Sequence, residues 1–183
     1  MSKISCLLAD DHSEIDDLIS EALAALDSED VELSYKKLDL FWARLAMHIR
    51  AEHLHLFPAI RGAFEPKKQT KERCAPSFEI AQSIIAKLHD DHDFFMRELI
   101  SVIKQIRVLC ENKEKLSNGL FRVRKTISAV SHRLKAHNEL EESEVYRWVD
   151  TLLSPSERAA LNERMQKEID NLPPRFGKSE EVF

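Results

Sequence analysis

Apolar residues recur three and four positions apart through four long stretches of this 183-residue chain, and each run is broken near its middle by ionisable side chains. Residues so spaced share one face of a 3.6-residue turn, so the stretches predict amphipathic helices. The first runs from about Ile4 to Leu26, with Leu8, His12, Ile15, Ile19, Ala22 and Leu26 on its stripe. The second starts near Val31 and carries Leu38, Phe41, Leu45, His48, Glu52 and Leu56, with Pro58 disturbing its last turn and Gly62 near its end. The third follows Ser77, a residue able to cap a helix, and carries Ala81, Ile84, Leu88, His92, Phe95, Leu99, Val102 and Ile106. The fourth carries Val123, Ile127, Val130, Leu134, His137, Glu141, Val145, Trp148 and Leu152. No stretch alternates with period two over a useful length, so no strand is expected.

The connections complete the outline. Residues 65–77 are polar with prolines near both ends and read as the longest link. In ENKEKLSNG the chain is expected to turn, most sharply at Asn118-Gly119. Ser154-Pro155-Ser156-Glu157 sets a capping residue, a proline at the first helical position and a glutamate at the third, which opens a short polar helix to about Leu172. The tail after Pro173-Pro174 has no pattern and is expected to be loose. The fold expected is all-α: an antiparallel up-down-up-down four-helix bundle over 1–153, an additional C-terminal helix at 154–172 on or beside it, and the tail 173–183. Three glycines and six prolines in the whole length favour such long helices.

Other classes fall away on charge and spacing. A net charge of −5 with both signs intermixed leaves no basic footprint for nucleic acid and no polybasic membrane patch. No run approaches the ~18 apolar residues of a membrane span. The start, MSKISCLLADDH, reaches paired aspartates too soon for a secretory signal. Cys6, Cys74 and Cys110 are scattered and lack a C-x-x-C pattern, so they read as reduced thiols of a cytoplasmic protein.

The stripe-breaking residues carry the functional signal. Burying such groups unpaired costs several kcal/mol, so each needs a partner or a metal. His48 and Glu52 in HIRAE are four apart and share a helix face, and His137 and Glu141 in HNELE repeat the spacing. Each pair follows a helix carrying one stripe histidine, His12 or His92, and both of these end an Asp-Asp-His. The sequences after the two glutamates also run alike, EHLHLFPAI beside EESEVYRWV, each with an aromatic five positions on. The chain thus reads as one unit written twice. Its antiparallel packing would bring four imidazoles and two carboxylates to one level. Two divalent ions sharing two bridging carboxylates need about that set, and nitrogen and oxygen donors without thiolate suit iron, with manganese or zinc as substitutes.

On these residues, DDH at 10–12 and 90–92, HIRAE at 48–52 and HNELEE at 137–142, the chain resembles the hemerythrin-like (HHE cation-binding) domains over roughly residues 10–150. The resemblance implies a four-helix bundle around a non-haem di-iron site. It implies as ligands His12, His48, Glu52, His92, His137 and Glu141, the two glutamates bridging. It also implies a partner among oxygen, nitric oxide and peroxide, bound, sensed or reduced, or else iron donation for iron–sulfur cluster repair. Oligomeric state is left open, a homodimer included. Oxygen-carrying members have a further histidine four residues from the one on the third helix. Here Met96 and Leu88 hold those places, so a fifth histidine is absent or another residue such as His89 supplies it. The six-residue set is closer to the repair branch, although Cys6 stands alone where that branch has a cysteine-bearing extension. A ferritin-like oxidase would use Glu-x-x-His, whereas the paired residues here run His-x-x-x-Glu, His48 to Glu52 and His137 to Glu141.

The remaining polar residues receive plainer readings. His53, which stands where the other half has Glu142, flanks the site. His89 either neighbours the ligands or edges the surface, His55 is a hydrogen-bonded core histidine, and His132 faces solvent. Asp11 and Asp91 are acids outside the ligand set, on the helix surface or beside the ligands. Phe41, Trp42, Phe94, Phe95 and Trp148 pack the core.

Overall fold

In a computed structural model, which describes residues 3–64, 75–111 and 116–176, all regular structure is helical. Helix α1 spans Lys3–Asp27 and α2 Val31–Ala51. A π-helical turn, Glu52–Leu56, continues α2 directly into α3, Phe57–Ala63. Helix α4 spans Phe78–Glu111 and α5 Leu116–Leu140. A second π turn, Glu141–Val145, leads into α6, Tyr146–Leu152. After a break at Leu153, α7 covers Pro155–Ile169, and a 3₁₀ turn follows at Pro174–Phe176.

Local chemistry sets the boundaries. Between α1 and α2, Asp30 accepts the Leu33 N–H at 3.0 Å, and Glu29 takes a left-handed conformation at φ 58°. That geometry lets the Asp30 N–H reach back to the Ala25 carbonyl and close the preceding helix. Ser77 caps α4 through the Ile80 N–H at 3.3 Å. Ser154 and Glu157 form the reciprocal capping box at the start of α7. Asn118-Gly119, expected as a sharp turn, instead lies inside the first turns of α5. The reason is packing: a Cβ on Gly119 would come within 2.4 Å of Leu109 Cδ2, so the glycine admits the close approach of α5 to α4. Much of the long polar link, residues 65–74, and the tail from 177 lie outside the described residues.

Contacts between the long helices fix their relative sense. His12 meets His48 while Ser34 bonds the Ala22 carbonyl, so α1 and α2 run antiparallel. His92 meets His137 while Gly119 lies against Leu109, which gives the same relation for α4 and α5. Arg124 reaches Asp27, and Glu142 reaches His12, across α1 and α5. Cys110 meets the Val31 carbonyl, and His92 faces Glu52, across α4 and the α2 end. Helix α7 packs on α1, α2 and the first π turn, where Arg50 and His55 reach Glu168. Arg175 ties the 3₁₀ turn to Asp39 of α2.

The core falls into two apolar parts. One holds Ile4, Leu8, Leu56, Phe57, Ile60, Leu88, Val145, Tyr146, Trp148 and the inner face of α7. The other holds Ile15, Ile19, Leu38, Phe41, Leu45, Phe95, Leu99, Val130 and Leu134. On every long helix the polar stripe residues sit between the two parts: Leu8 and Ile15 bracket His12, Leu45 and Leu56 bracket His48 and Glu52, and so on through α4 and α5. Each fully buried Leu, Ile or Phe contributes about 1.5–3 kcal/mol, so apolar burial above and below can sustain a polar layer that costs several.

Candidate metal centre

All six residues singled out by their phase on the stripes meet in that layer, each at most 3% exposed. They form two histidine pairs with two carboxylates between them. His12 Nε2 lies 3.1 Å from His48 Nε2, and His92 Nε2 lies 3.0 Å from His137 Nε2. Glu52 turns Oε1 to His48 at 3.5 Å and Oε2 to His92 at 3.3 Å. Glu141 turns Oε2 to His12 at 3.3 Å and Oε1 to His137 at 3.2 Å. Each carboxylate therefore offers one oxygen to each pair. Donor atoms of Glu52, His92, His137 and Glu141 lie within 4.8 Å of one another, as do those of His12, His48 and Glu141.

What stands behind the imidazoles decides which nitrogens are bare. His48 Nδ1 is 2.7 Å from Asp11 Oδ2, His12 Nδ1 is 2.9 Å from Glu142 Oε1, and His137 Nδ1 is 3.3 Å from Asp91 Oδ2. A carboxylate can only accept, so these three Nδ1 atoms each carry a proton and it is Nε2 that points inward. Asp11 and Asp91 are thus buried acceptors rather than helix-surface acids. Each serves the histidine of the neighbouring helix, and each is held in turn by an arginine, Arg44 at 2.8 Å and Arg133 at 2.6 Å. His92 differs: its Nδ1 faces His53 Nε2 at 2.8 Å, and His53 packs on His89 at 4.1 Å between ring centres.

The ionisable groups of this layer shift one another. Burial disfavours the charged forms of His12, His48 and His137. Even so, Glu141 and Glu142 raise His12, Glu52 and Asp11 lift His48 well above its ordinary value, and Glu141 raises His137. Burial, aided by the neighbouring histidines, holds His92 well below the usual range. Burial and His89 bring His53 down to about 4. Burial and the charge of Glu141 raise Glu52, whereas His137 and His12 hold Glu141 well below its ordinary value despite burial. Glu52 Oε2 and Glu141 Oε1 are buried with no hydrogen-bond donor. Two buried carboxylates and four inward-facing imidazole nitrogens make a set that a metal ion can satisfy in place of the protons.

The spacings fit that demand. Nitrogen and oxygen ligands stand about 2.1 Å from a first-row divalent ion, so neighbours at a right angle are about 3 Å apart. Six of the contacts within the two groups fall at 3.0–3.5 Å, and His92 Nε2 to Glu141 Oε1 is 4.0 Å.

A family model described as the hemerythrin HHE cation binding domain matches residues 4–149. The chain belongs to this hemerythrin family. The match spans α1 through most of α6 and includes every residue of the polar layer, while α7 lies beyond it. Neither the curated proteins nor the solved structures gave a significant match to this hemerythrin-family chain.

One residue at the centre stood outside the sequence-predicted set. Tyr146 Oη lies 3.0 Å from His12 Nε2 and 3.2 Å from both Glu52 Oε1 and Glu141 Oε2. Burial and the two carboxylates push its pKa well above the ordinary value, so it stays a hydroxyl. The second π turn places it there: the Tyr146 N–H bonds the Glu141 carbonyl, five residues back, which stacks the side chain over the glutamate. Phe57 bonds Glu52 in the same way. The aromatic five positions after each glutamate was the available signal, but on a straight α-helix that position points about 140° away. His55, expected in the core, is partly exposed beside Glu168, and His132 is exposed as expected.

Proposed function

We propose that this chain is a non-haem di-iron protein of the hemerythrin type, an up-down-up-down four-helix bundle that binds or reduces oxygen, nitric oxide or peroxide. The observation that carries the reading is the pose of the two carboxylates, each with one oxygen toward either histidine pair. His12 and His48 would hold one ion, His92 and His137 the other, and Glu52 and Glu141 would bridge them. When bound, the ions supply an open coordination position and the electrons for the small oxidant. Iron suits the all-nitrogen-and-oxygen donor set, with manganese or zinc able to substitute.

The chain's own residues have separate tasks in this reading. Asp11, Glu142 and Asp91 fix the imidazole tautomers with Nε2 inward. Phe57 and Phe95 pack against His92 and His137 and keep water from the layer. Tyr146 holds a proton at Oη beside both carboxylates, ready to hydrogen-bond a ligand that arrives between them. The free thiols Cys6 and Cys110 accord with a reducing compartment, and no helix among the described residues is long and apolar enough to cross a membrane.

Metal analysis of protein purified without oxygen tests the proposal. We expect about two irons per chain and a new near-ultraviolet charge-transfer absorption when oxygen or nitric oxide is admitted. A colourless protein holding a single zinc and unchanged by either gas would remove it.

A further inference from the structure

The two halves of the centre match in their ligands and differ in what stands behind them. On the His12–His48 side both imidazoles lean on carboxylates, Glu142 at 2.9 Å and Asp11 at 2.7 Å. On the His92–His137 side only His137 does, and its bond to Asp91 is longer, at 3.3 Å. His92 Nδ1 instead faces His53 Nε2; with His92 Nε2 given to the ion, Nδ1 is the donor and His53 accepts as a neutral imidazole. Arg44 and Arg133 take equivalent places on Asp11 and Asp91 and so cancel in the comparison. Among the groups hydrogen-bonded to the imidazoles, the His12–His48 position has one more negative charge.

A second mismatch points the same way. Five residues beyond the ligand glutamates stand Tyr146 in one half and Phe57 in the other. Tyr146 adds a polar oxygen next to His12, whereas Phe57 lays an apolar ring near-parallel to His92, 6.2 Å between centres. The Tyr146 proton draws some electron density from the carboxylate oxygens it faces. That one proton is shared between two carboxylates, so it offsets only part of the effect of a whole added carboxylate charge at Glu142.

We propose, resting on the di-iron reading, that Glu142 and Tyr146 against His53 and Phe57 make the His12–His48 position the better host for the ion of higher charge. On one-electron oxidation of a diferrous centre the ferric ion then lies at His12–His48 and the ferrous ion stays at His92–His137. The electron passes to an outer-sphere one-electron oxidant such as ferricyanide; no bond forms or breaks, and no proton moves. Residues that hydrogen-bond a metal ligand change affinity by about 10–100-fold. A charge-selective part of about tenfold corresponds to ~59 mV in a one-electron potential.

Potentiometric titration of the full chain, loaded with iron without oxygen and assayed first for two irons, tests this. Glu142→His is expected to raise the first oxidation potential by ~59 mV and leave the second nearly in place. His53→Glu is expected to lower the second and leave the first. The reverse assignment, or no movement in either variant, overturns the proposal while two irons per chain leave the di-iron reading intact. Fewer than two irons in the unaltered chain overturns both. If His53→Glu does not retain iron, Glu142→His decides alone, because the Glu142 side chain is 41% exposed.

Discussion

Asp-Asp-His occurs twice in the chain, and the structure gives its two aspartates opposite environments: Asp10 and Asp90 are exposed, Asp11 and Asp91 buried. Asp11→Ala should therefore impair the centre, whereas Asp10→Ala should not. In Asp11→Ala the buried His48 Nδ1–H loses its acceptor at 2.7 Å, and Arg44 keeps only the exposed Glu14. An unsatisfied buried donor costs about 1–3 kcal/mol. A broken buried ion pair can cost about 3–5 kcal/mol, but that range is too high here because the Arg44 side chain is 18% exposed and can reach water. We expect the metal-free protein to lose about 2 kcal/mol, read by urea unfolding. Without the carboxylate the His48 ring is also a weaker and less well-aimed donor, so metal affinity should fall about 10–100-fold, or roughly 1.4–2.7 kcal/mol. Asp11→Asn keeps an acceptor without the charge and should fall between. Asp91→Ala should lose less than Asp11→Ala, since its bond to His137 is the longer one. Competition with a chelator in the absence of oxygen reads all four variants. Equal affinities for Asp10→Ala and Asp11→Ala would refute the reasoning.

Three further outcomes are expected. His48→Ala combined with His137→Ala removes one imidazole from each pair and should abolish retention of both metals while leaving most of the far-ultraviolet helix signal; full metal retention would show the ligand assignment to be wrong. Protons compete for the same nitrogens: His12, His48 and His137 are raised above 6.5 in the folded metal-free chain, so the stability they contribute is fully present below pH 6.5 and lost as pH rises through their folded values. Metal displaces those protons, so the rise in melting temperature on adding metal should grow from pH 6 to pH 8, and calorimetry in buffers of different ionisation heat should register proton release. At the far end of the chain, Ser154→Ala removes the reciprocal cap of α7 and should cost about 1 kcal/mol in unfolding with two metals still bound.

How much of this was legible follows from the range of each signal. The six residues of the centre could be read because a four-residue spacing on an apolar stripe fixes a direction within one helix, whatever the neighbours do. Asp11 and Asp91 could not be assigned that way. Each sits about 100° around the helix from its histidine, and whether an acid there meets an imidazole depends on the register of the next helix. Asn118-Gly119 misled because the pair usually marks a turn, while here the missing Cβ admits the contact with Leu109 on the neighbouring helix. Tyr146 was hidden by a change of helical period that no local pattern announced.

That change of period links the fold to the chemistry. Both π turns begin at a buried glutamate of the layer, and in each the backbone N–H five positions on bonds that glutamate's carbonyl, which turns Tyr146 to the Glu141 carboxylate and Phe57 to His92. The rotation also keeps the core continuous: Leu56, Phe57 and Ile60 after the first turn, and Val145, Tyr146 and Val149 after the second, all return to the same apolar part. Pro58 near the start of α3 lacks the N–H that a continuing helix would use, so at that point one half gives up a bond at little cost. An unbroken α-helix would carry the glutamate on the stripe and leave the aromatic outside it. The duplicated turn therefore brings two aromatic positions to the layer beside its six buried histidines and glutamates. The two halves fill them differently, a hydroxyl beside one histidine pair and a bare ring beside the other.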